Sequence, residues 1–298
     1  MNRRYLVIGA SGLVGGYLFN SLIEAGENPM GTFLANTTPS AERLNICQQQ
    51  EVNHFFERFR PEVVFLPAAL THVDYCEKNP AAAYEVNVMG VKNIADACGA
   101  SGAYLIYFSS DYIFDGTSGP YDEQAVANPL SVYGQQKLIA EHYITLTLRQ
   151  SLIVRTTVVY GWEQQGKNFV YRLVKSLQEG RAVKVPIDQV GTPTYALELA
   201  QNAMKLSNMK QMGIINIAGS DCINRYEFAL EIAKIFNIPQ SLIQPVKTEE
   251  LNQAAKRPLL AGLKTEKAAA LLQTSFSSSA QGLHSLLTEK TKARVLKL

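Results

Sequence analysis

The clearest indication of the fold is the stretch Tyr5-Leu-Val-Ile-Gly-Ala-Ser-Gly-Leu-Val-Gly15. Four apolar residues that stop at Gly9 are typical of a buried parallel strand. Gly9 then permits a tight turn, Gly12 lets the backbone approach a pyrophosphate, and Gly15 lets the next helix pack closely on the sheet. N–H groups at the start of that helix would face the phosphates of a dinucleotide. The predicted phosphate-binding residues are Gly9, Ser11, Gly12, Leu13, Val14 and Gly15.

Strand and helix patterns alternate beyond this loop. Apolar runs at 61–66, 103–108 and 151–154 predict strands, and residues 81–98 and 131–148 predict helices. Alternation of this kind is typical of right-handed βαβ units. We therefore predict an α/β fold, namely a Rossmann-type doubly wound parallel sheet with a smaller C-terminal substrate-binding lobe over its carboxyl edge.

The domain boundaries are predicted at the point where strands and helices stop alternating regularly. We assign residues 1–165 to the dinucleotide-binding domain, and 191–220 return to it because 213–218 is predicted to be an edge strand of the same sheet. Residues 166–190 and 221–298 are assigned to the substrate-binding lobe.

Composition narrows the class of protein. The chain has 298 residues, 47% hydrophobic and 18% charged, with a net charge of +2. A concentrated basic patch is missing from the sequence, so a nucleic-acid partner is not expected. Its four cysteines are scattered, which argues against a metal site or a disulfide framework and favours a cytoplasmic location. The apolar N-terminal run is too short for a signal peptide or a membrane span.

The second strand bears on the choice of cofactor. An acid that binds the adenosine ribose normally lies about 20 residues beyond the glycine loop. Residues 30–36 contain neither Asp nor Glu, and Arg43 is the first cation that follows. Since nothing there would repel a 2′-phosphate, we expect NADPH or NADH, with a preference for NADPH.

Tyr133 and Lys137 are candidates for proton chemistry. Their i, i+4 spacing places phenol and ammonium on one face of a helix. We expect the ammonium to lower the pKa of the phenol and make Tyr133 a general acid for a carbonyl oxygen that receives a hydride. Lys137 could also hold the nicotinamide ribose. Ser110 ends a buried strand, where its hydroxyl could polarise the same carbonyl.

Together these motifs resemble the extended short-chain dehydrogenase/reductases, and within them the dTDP-4-dehydrorhamnose reductase family. That family also contains the regulatory β subunit of methionine adenosyltransferase. The resemblance covers nearly the whole chain. Its markers are GASGLVG (9–15), AALTHVD (68–74), SSDYIFD (109–115), YGQQK (133–137), RTTVVYG (155–161), DQVGTPT (188–194) and RP (257–258).

The resemblance implies NAD(P)H-dependent reduction of a 4-keto group on a nucleotide-linked 6-deoxysugar. By position, Ser110, Tyr133 and Lys137 are the catalytic residues, and Tyr133 is the proton donor. Homodimers are common in the family. The further cofactor contacts implied are Asn45, Ile46, Ala68, Ala69 and Leu70, together with Tyr133 and Lys137. The substrate contacts implied are His72, Val73, Ser110, Tyr112, Asn168 and Arg257.

Several positions depart from the family or leave alternatives open. Asn45 stands where the family usually has Asp, and Val158 where the rhamnose reductases often have Trp, so the sugar could be a different one. Arg257 could bind the substrate diphosphate or anchor the C-terminal lobe. Tyr112 follows Asp111 where a dehydratase would need a second carboxylate.

Two alternative functions stay open. A nucleotide-sugar epimerase would typically grip its NAD ribose with an acid, which the second strand lacks. A non-catalytic regulatory NAD(P)-binding protein is the alternative from another class of protein.

Overall fold

The computed structural model describes residues 3–295, without the side chains of 290–295. The predicted domain ranges extend to residues 1–2 and 296–298, which lie outside the described residues. The strands are β1 (Tyr5–Ile8), β2 (Met30–Phe33), β3 (Ala41–Arg43), β4 (Val63–Leu66), β5 (Tyr104–Ser110), β6 (Ser151–Thr156), β7 (Val159–Tyr160), β8 (Val183–Pro186), β9 (Val190–Gly191), β10 (Thr194–Tyr195), β11 (Gly213–Asn216), β12 (Ile223–Asn224) and β13 (Ile243–Val246). The helices are α1 (Leu13–Glu24), α2 (Gln49–Phe59), α3 (Val73–Lys78), α4 (Pro80–Tyr84), α5 (Val91–Ser101), α6 (Val132–Thr147), α7 (Phe169–Gln178), α8 (Ala196–Asn208), α9 (Arg225–Ile235), α10 (Glu266–Leu272) and α11 (Ser279–Val295).

Within the described residues, seven strands form one parallel sheet in the order β11-β6-β5-β4-β1-β2-β3. The predicted doubly wound α/β fold and the edge strand near residue 215 are confirmed. All strands of this sheet run in the same direction, so Gly9 after β1 and Ser110 at the end of β5 lie on the same edge of the sheet. That edge is where open α/β folds bind ligands.

Both faces of the sheet are buried, which explains why its central strands are apolar at every position. Tyr5 and Val7 of β1 face a core shared with α1 and α8. Leu6 and Ile8 face the opposite core, which includes side chains of α2, α5 and α6.

A further apolar cluster lies outside the sheet. Its buried members come mainly from α7, α9, α11 and β8, and they include Val170, Leu173, Phe228 and Ile232. β8 pairs in parallel with β13, and β9 pairs antiparallel with β12. These short pairings tie the segment after residue 180 to the C-terminal part of the chain.

The predicted continuous helix over 81–98 is wrong in detail. α4 ends at Tyr84, the backbone forms a π-helical turn over Glu85–Gly90, and α5 then begins at Val91. Such wide turns are rare and are frequently found at functional sites. The turn contains Asn87, a fully buried residue whose contacts are described below.

Among the described residues, the structure contains no helix with the length and apolar content that crossing a bilayer requires.

Candidate active site

The glycine loop forms an open cradle at the start of α1. Gly9 has φ +91°, a left-handed conformation that glycine adopts without strain. A Cβ on Gly15 would lie 2.1 Å from the Gly9 carbonyl oxygen, so close packing of α1 requires glycine there. A Cβ on Gly12 would meet only that same oxygen, at 3.4 Å, and would otherwise project into open space.

The N-terminus of α1 fits an anionic ligand. Gly12 is the N-cap and provides no side-chain capping bond, and the first turn carries no acidic residue. Uncapped N–H groups and the positive end of the helix dipole therefore face the cradle. Gln165 closes one side, because its amide donates to the Ser11 carbonyl oxygen at 3.1 Å. Leu13 and Val14 form the first turn of the helix at this point.

The cradle continues along the carboxyl ends of β2 and β4. Thr32 in β2 accepts hydrogen bonds from the N–H groups of Gly9 and Ala10 through its carbonyl oxygen, at 3.1 and 2.8 Å. A Cβ on Gly9 would lie 3.0 Å from the Cβ of Ala68, which shows how closely the loop approaches the residues after β4. Ala69 and Leu70 follow in the same segment.

Asn45 and Ile46 are held beside this segment by their own neighbours. Asn45 accepts from the Cys47 N–H at 3.1 Å, and its own N–H donates to Glu51 at 2.8 Å. The Ile46 carbonyl oxygen accepts from Asn93 at 2.8 Å. Both residues are thus fixed in position, and their contact with an adenine stays a prediction.

The three predicted catalytic residues are brought together at the end of β5. Tyr133, Lys137 and Ser110 are 7%, 3% and 8% exposed. The Ser110 hydroxyl lies near the Tyr133 phenol, and the Lys137 Nζ lies 5.9 Å from the centre of the Tyr133 ring. Ser131 caps α6 by accepting from the Gly134 N–H at 3.2 Å, which fixes the first turn that carries Tyr133.

The expected fall in the Tyr133 pKa is wrong for this structure. Burial raises the pKa of the phenol above its usual value, and among its main influences only the Ser110 hydroxyl acts in the opposite direction. Lys137 is not among the main influences on this pKa, and its ammonium donates to the Phe108 carbonyl oxygen at 2.9 Å. Tyr133 is therefore a neutral phenol at pH 7, the state that a proton donor requires.

Burial acts on Lys137 as well. It lowers the pKa of this ammonium to about 8, and the Glu141 carboxylate on the next turn of α6 acts against that change. Glu141 itself forms a buried ion pair with Arg155, with Nη2 and Oε2 2.7 Å apart. Lys137 thus titrates close to physiological pH.

Asp111 organises the hydroxyl of Ser110. Its carboxylate accepts from Ser110 Oγ at 3.1 Å and from Thr157 Oγ1 at 2.6 Å, and it is only 3% exposed. The Tyr112 N–H donates to Ser110 Oγ at 3.2 Å. These two hydrogen bonds fix the orientation of the Ser110 side chain.

Asn87 connects the cofactor side of the site to the catalytic helix. Its Oδ1 accepts from the Leu70 N–H at 2.8 Å, and its Nδ2 donates to the Leu70 carbonyl oxygen and to Gln136 Oε1, both at 3.1 Å. Gln136 in turn donates to the Pro80 carbonyl oxygen at 3.0 Å. Sequence reasoning missed Asn87, although a polar residue in an apolar helix pattern was the available signal.

Two of the predicted substrate residues, Tyr112 and Val73, lie next to Tyr133, and contact of His72 with the substrate stays a prediction. The Tyr112 ring packs edge-on against the Tyr133 ring, with centroids 5.7 Å apart. Val73 packs on the same small apolar cluster. His72 is the N-cap of α3, and its Nδ1 accepts from the Tyr75 N–H at 3.1 Å.

Asn168 and Arg257 have structural partners instead of free polar groups. Asn168 caps α7 by accepting from the Tyr171 N–H at 3.1 Å, and its amide donates to the Gly161 carbonyl oxygen and to Glu163. Arg257 forms an ion pair with Asp74 at 2.9 Å and is 8% exposed at its side chain. This ion pair favours the anchoring role of Arg257, and substrate contact by either residue stays a prediction.

A narrow pocket lies beside the candidate catalytic residues. Among its lining residues are Asp111, Tyr112, Val158, Gln189, Arg225 and Phe228. Val158 has φ +45°, a strained conformation for a β-branched residue that is typical of functional sites. Arg225 was not predicted, although a cation at the first position of α9 is an available signal because the helix dipole disfavours it there.

A larger cavity, of about 840 Å³, lies at the opposite edge of the sheet. Arg4, Arg60 and Tyr104 are among its lining residues, and they stand at or just before the amino ends of strands. None of the predicted catalytic residues is part of its wall. The candidate functional site is instead the smaller pocket at the carboxyl edge, because its lining residues Asp111 and Tyr112 contact Ser110 and Tyr133 directly.

The sheet order and the glycine cradle at its carboxyl edge define an NAD(P)-dependent oxidoreductase of the short-chain dehydrogenase/reductase class. Within that class, the family model described as "RmlD substrate binding domain" matches residues 3–292. The chain belongs to this family, so the predicted resemblance is confirmed.

The proteins to which the chain is similar include a polysaccharide biosynthesis protein, a subunit of methionine adenosyltransferase and a dTDP-4-dehydrorhamnose reductase. It is 34% identical to the spore coat polysaccharide biosynthesis protein SpsK of Bacillus subtilis (strain 168), over 86% of this chain and 87% of that protein. It is 31% identical to methionine adenosyltransferase 2 subunit beta of Bos taurus, over 86% and 79%. Its structure is similar to that of dTDP-4-dehydrorhamnose reductase from Bacillus anthracis str. Ames in complex with NADP, with a TM-score of 0.89, 29% identity and coverage of 97% and 100%.

Proposed function

We propose that the chain reduces a 4-keto group on a nucleotide-linked 6-deoxysugar, with Tyr133 as the proton donor. The observation that carries this proposal is the buried phenol of Tyr133. It lies beside Ser110 and Tyr112 at the sheet edge that also holds the glycine cradle. Family membership and the similar dTDP-4-dehydrorhamnose reductase structure support the same reaction.

A nicotinamide dinucleotide is the proposed cofactor, and the residues fit it. The phosphates would lie on the uncapped N-terminus of α1, and the cradle is open where Gly12 lacks a Cβ. When bound, the reduced cofactor supplies a hydride to the carbonyl carbon. The absence of an acid from β2 agrees with NADPH, and a preference for NADPH over NADH stays a prediction.

The protein's own residues provide the proton and orient the carbonyl group. As the carbonyl carbon gains a hydride, its oxygen becomes basic and takes the proton of the Tyr133 phenol. The developing phenolate is the charged form that burial disfavours, so a nearby ammonium at Lys137 stabilises it. Ser110, fixed by Asp111, positions the same oxygen.

The test is a screen of nucleotide-linked 4-keto-6-deoxysugars, each with NADPH and with NADH, that follows cofactor oxidation by absorbance. We expect turnover by the wild-type protein with at least one sugar and tighter binding of NADPH than of NADH. Tyr133→Phe should lower kcat by about 10²- to 10⁴-fold, the usual contribution of general acid catalysis, with cofactor affinity nearly unchanged. Turnover of Tyr133→Phe at the wild-type rate would contradict the assignment of the proton donor.

A regulatory role is the second candidate, and the similarity to methionine adenosyltransferase 2 subunit beta favours it. Tight cofactor binding without turnover of any sugar in the screen would support this candidate. The direct measurement is co-elution with a methionine adenosyltransferase and a change in the activity of that enzyme.

The remaining assignments are part of the proposal. We infer that residues 1–165 with 191–220 bind the dinucleotide, and that 166–190 with 221–298 bind the sugar nucleotide. A homodimer and a cytoplasmic location stay predictions, and light scattering of the purified protein tests the first of them.

A further inference from the structure

Arg225 has an unusual environment for a cation. It is half-buried in the wall of the pocket, at the first position of α9, and its guanidinium lies 4.8 Å from the centre of the Phe169 ring. Within the part of the chain that the structure describes, Arg225 belongs to no ion pair and its side chain donates no hydrogen bond to a protein group. Burial lowers its pKa from the usual value, and an arginine nevertheless stays charged at pH 7.

The backbone of Arg225 is held in place from both sides. Its N–H donates to the Gln189 carbonyl oxygen at 2.8 Å, and Asn224 caps the helix by accepting from the Glu227 N–H at 2.9 Å. The Gln189 side chain is itself bonded to Thr248 at 3.1 Å. The guanidinium is therefore presented to the pocket from a fixed position.

The surrounding charges favour an anion. Arg172 and Arg257 repel Arg225, whereas Asp111 is the carboxylate that attracts it. Asp111 is already bonded to Ser110 and Thr157, and Arg257 is neutralised by its ion pair with Asp74. Arg225 is the arginine that lines this pocket, and its planar fork of donors is available to a ligand there.

We propose that Arg225 binds a phosphate of the diphosphate that links nucleotide and sugar in the substrate. This inference rests on the proposed function, because it takes the substrate to be a nucleotide-linked sugar. A diphosphate matches the site because a guanidinium makes paired, charge-assisted hydrogen bonds to phosphate oxygens. A phosphate would also bring the negative charge that compensates a half-buried cation for its lost water, whereas a sugar hydroxyl accepts a hydrogen bond without bringing charge.

Calorimetric titration of nucleoside diphosphates tests the proposal without any turnover. The probes are dTDP, UDP, GDP, CDP and ADP, each compared with its nucleoside, in the presence of saturating NADP⁺. For the diphosphate that binds, we expect Arg225→Gln to weaken binding by about 10- to 100-fold, the range for a lost charge-assisted contact, with little change for the nucleoside. Arg225→Lys should lie between the two, since an ammonium keeps the charge and loses the planar fork.

Matched variants separate this effect from misfolding and from failure of the proposed reaction. Arg181→Gln makes the same change at an exposed arginine of the same lobe and should bind the diphosphate like the wild type. Thermal unfolding and NADP⁺ affinity check that Arg225→Gln is folded, and Arg225→Lys serves if it is not. Tyr133→Phe should keep full diphosphate affinity, so loss of the reduction alone leaves this inference standing.

Three results would overturn the inference. These are equal diphosphate affinity in Arg225→Gln and the wild type, no binding of any of the five diphosphates, and a wild type that binds a nucleoside as tightly as its diphosphate. Each result would mean that Arg225 recognises no phosphate in this pocket.

Discussion

The substitution Asn87→Leu tests the connection between the cofactor loop and the catalytic helix. Asn87 is fully buried and makes three hydrogen bonds to oxygen or nitrogen atoms, two with Leu70 and one with Gln136, besides a long one to Cys76 Sγ at 4.0 Å. Leucine keeps a similar volume and removes all three. At about 1 kcal/mol for each bond, the free energy of unfolding should fall by about 3 kcal/mol, and by more if the partners left behind find no water.

Asn93→Leu is the matched control. Asn93 is also buried, lies in the next helix, and makes one such bond, to the Ile46 carbonyl oxygen at 2.8 Å. The same change should therefore cost about 1 kcal/mol. Urea unfolding followed by circular dichroism gives both values under the same conditions. If Asn87→Leu costs no more than Asn93→Leu, Asn87 does not hold the two segments together as argued.

Two further predictions concern the catalytic ammonium and the glycine loop. Because burial lowers the Lys137 pKa to about 8, its charge is present below that pH and lost above it, so kcat/KM for the reduction should be level from pH 6 to 7 and fall above 8. In Lys137→Arg the cation does not titrate in this range, and a fall at the same pH in that variant would assign it to another group. A Cβ at Gly15 would lie 2.1 Å from the Gly9 oxygen, whereas one at Gly16 would meet its nearest atom at an ordinary 3.5 Å. Gly15→Ala should therefore abolish NADPH binding and Gly16→Ala should retain it in a fluorescence titration, and equal binding by both would show that the loop adapts.

The sheet and the cofactor loop could be predicted from sequence because their signals are local. Strands buried on both faces are continuous apolar runs, as in 63–66 and 104–108. The spacing of Gly9, Gly12 and Gly15 specifies the loop between β1 and α1 without reference to the rest of the chain.

The predictions that proved wrong concern features that depend on contacts between segments distant in the sequence. The π-helical turn at 85–90 places Asn87 against Leu70, and neither residue indicates that contact by itself. The pKa of Tyr133 could not be predicted from its spacing to Lys137, because burial dominates it and the Lys137 ammonium donates to the Phe108 carbonyl oxygen.

The position of Arg225 in the pocket also depends on a contact between distant segments. It lies more than a hundred residues from Tyr112 in the sequence and reaches the same pocket only through the pairing of β9 with β12. Local periodicity carries no information about such a pairing.

Trp162 gives the protein an intrinsic optical reporter. It is the only tryptophan in the chain. Its indole N–H donates to the Leu286 carbonyl oxygen of α11 at 2.8 Å. Its backbone N–H donates to the Tyr17 hydroxyl of α1 at 3.0 Å. The emission spectrum therefore reports one chemical environment, at the junction between α1, which follows the glycine loop, and α11. A shift in its wavelength on ligand addition would register movement at that junction without a label.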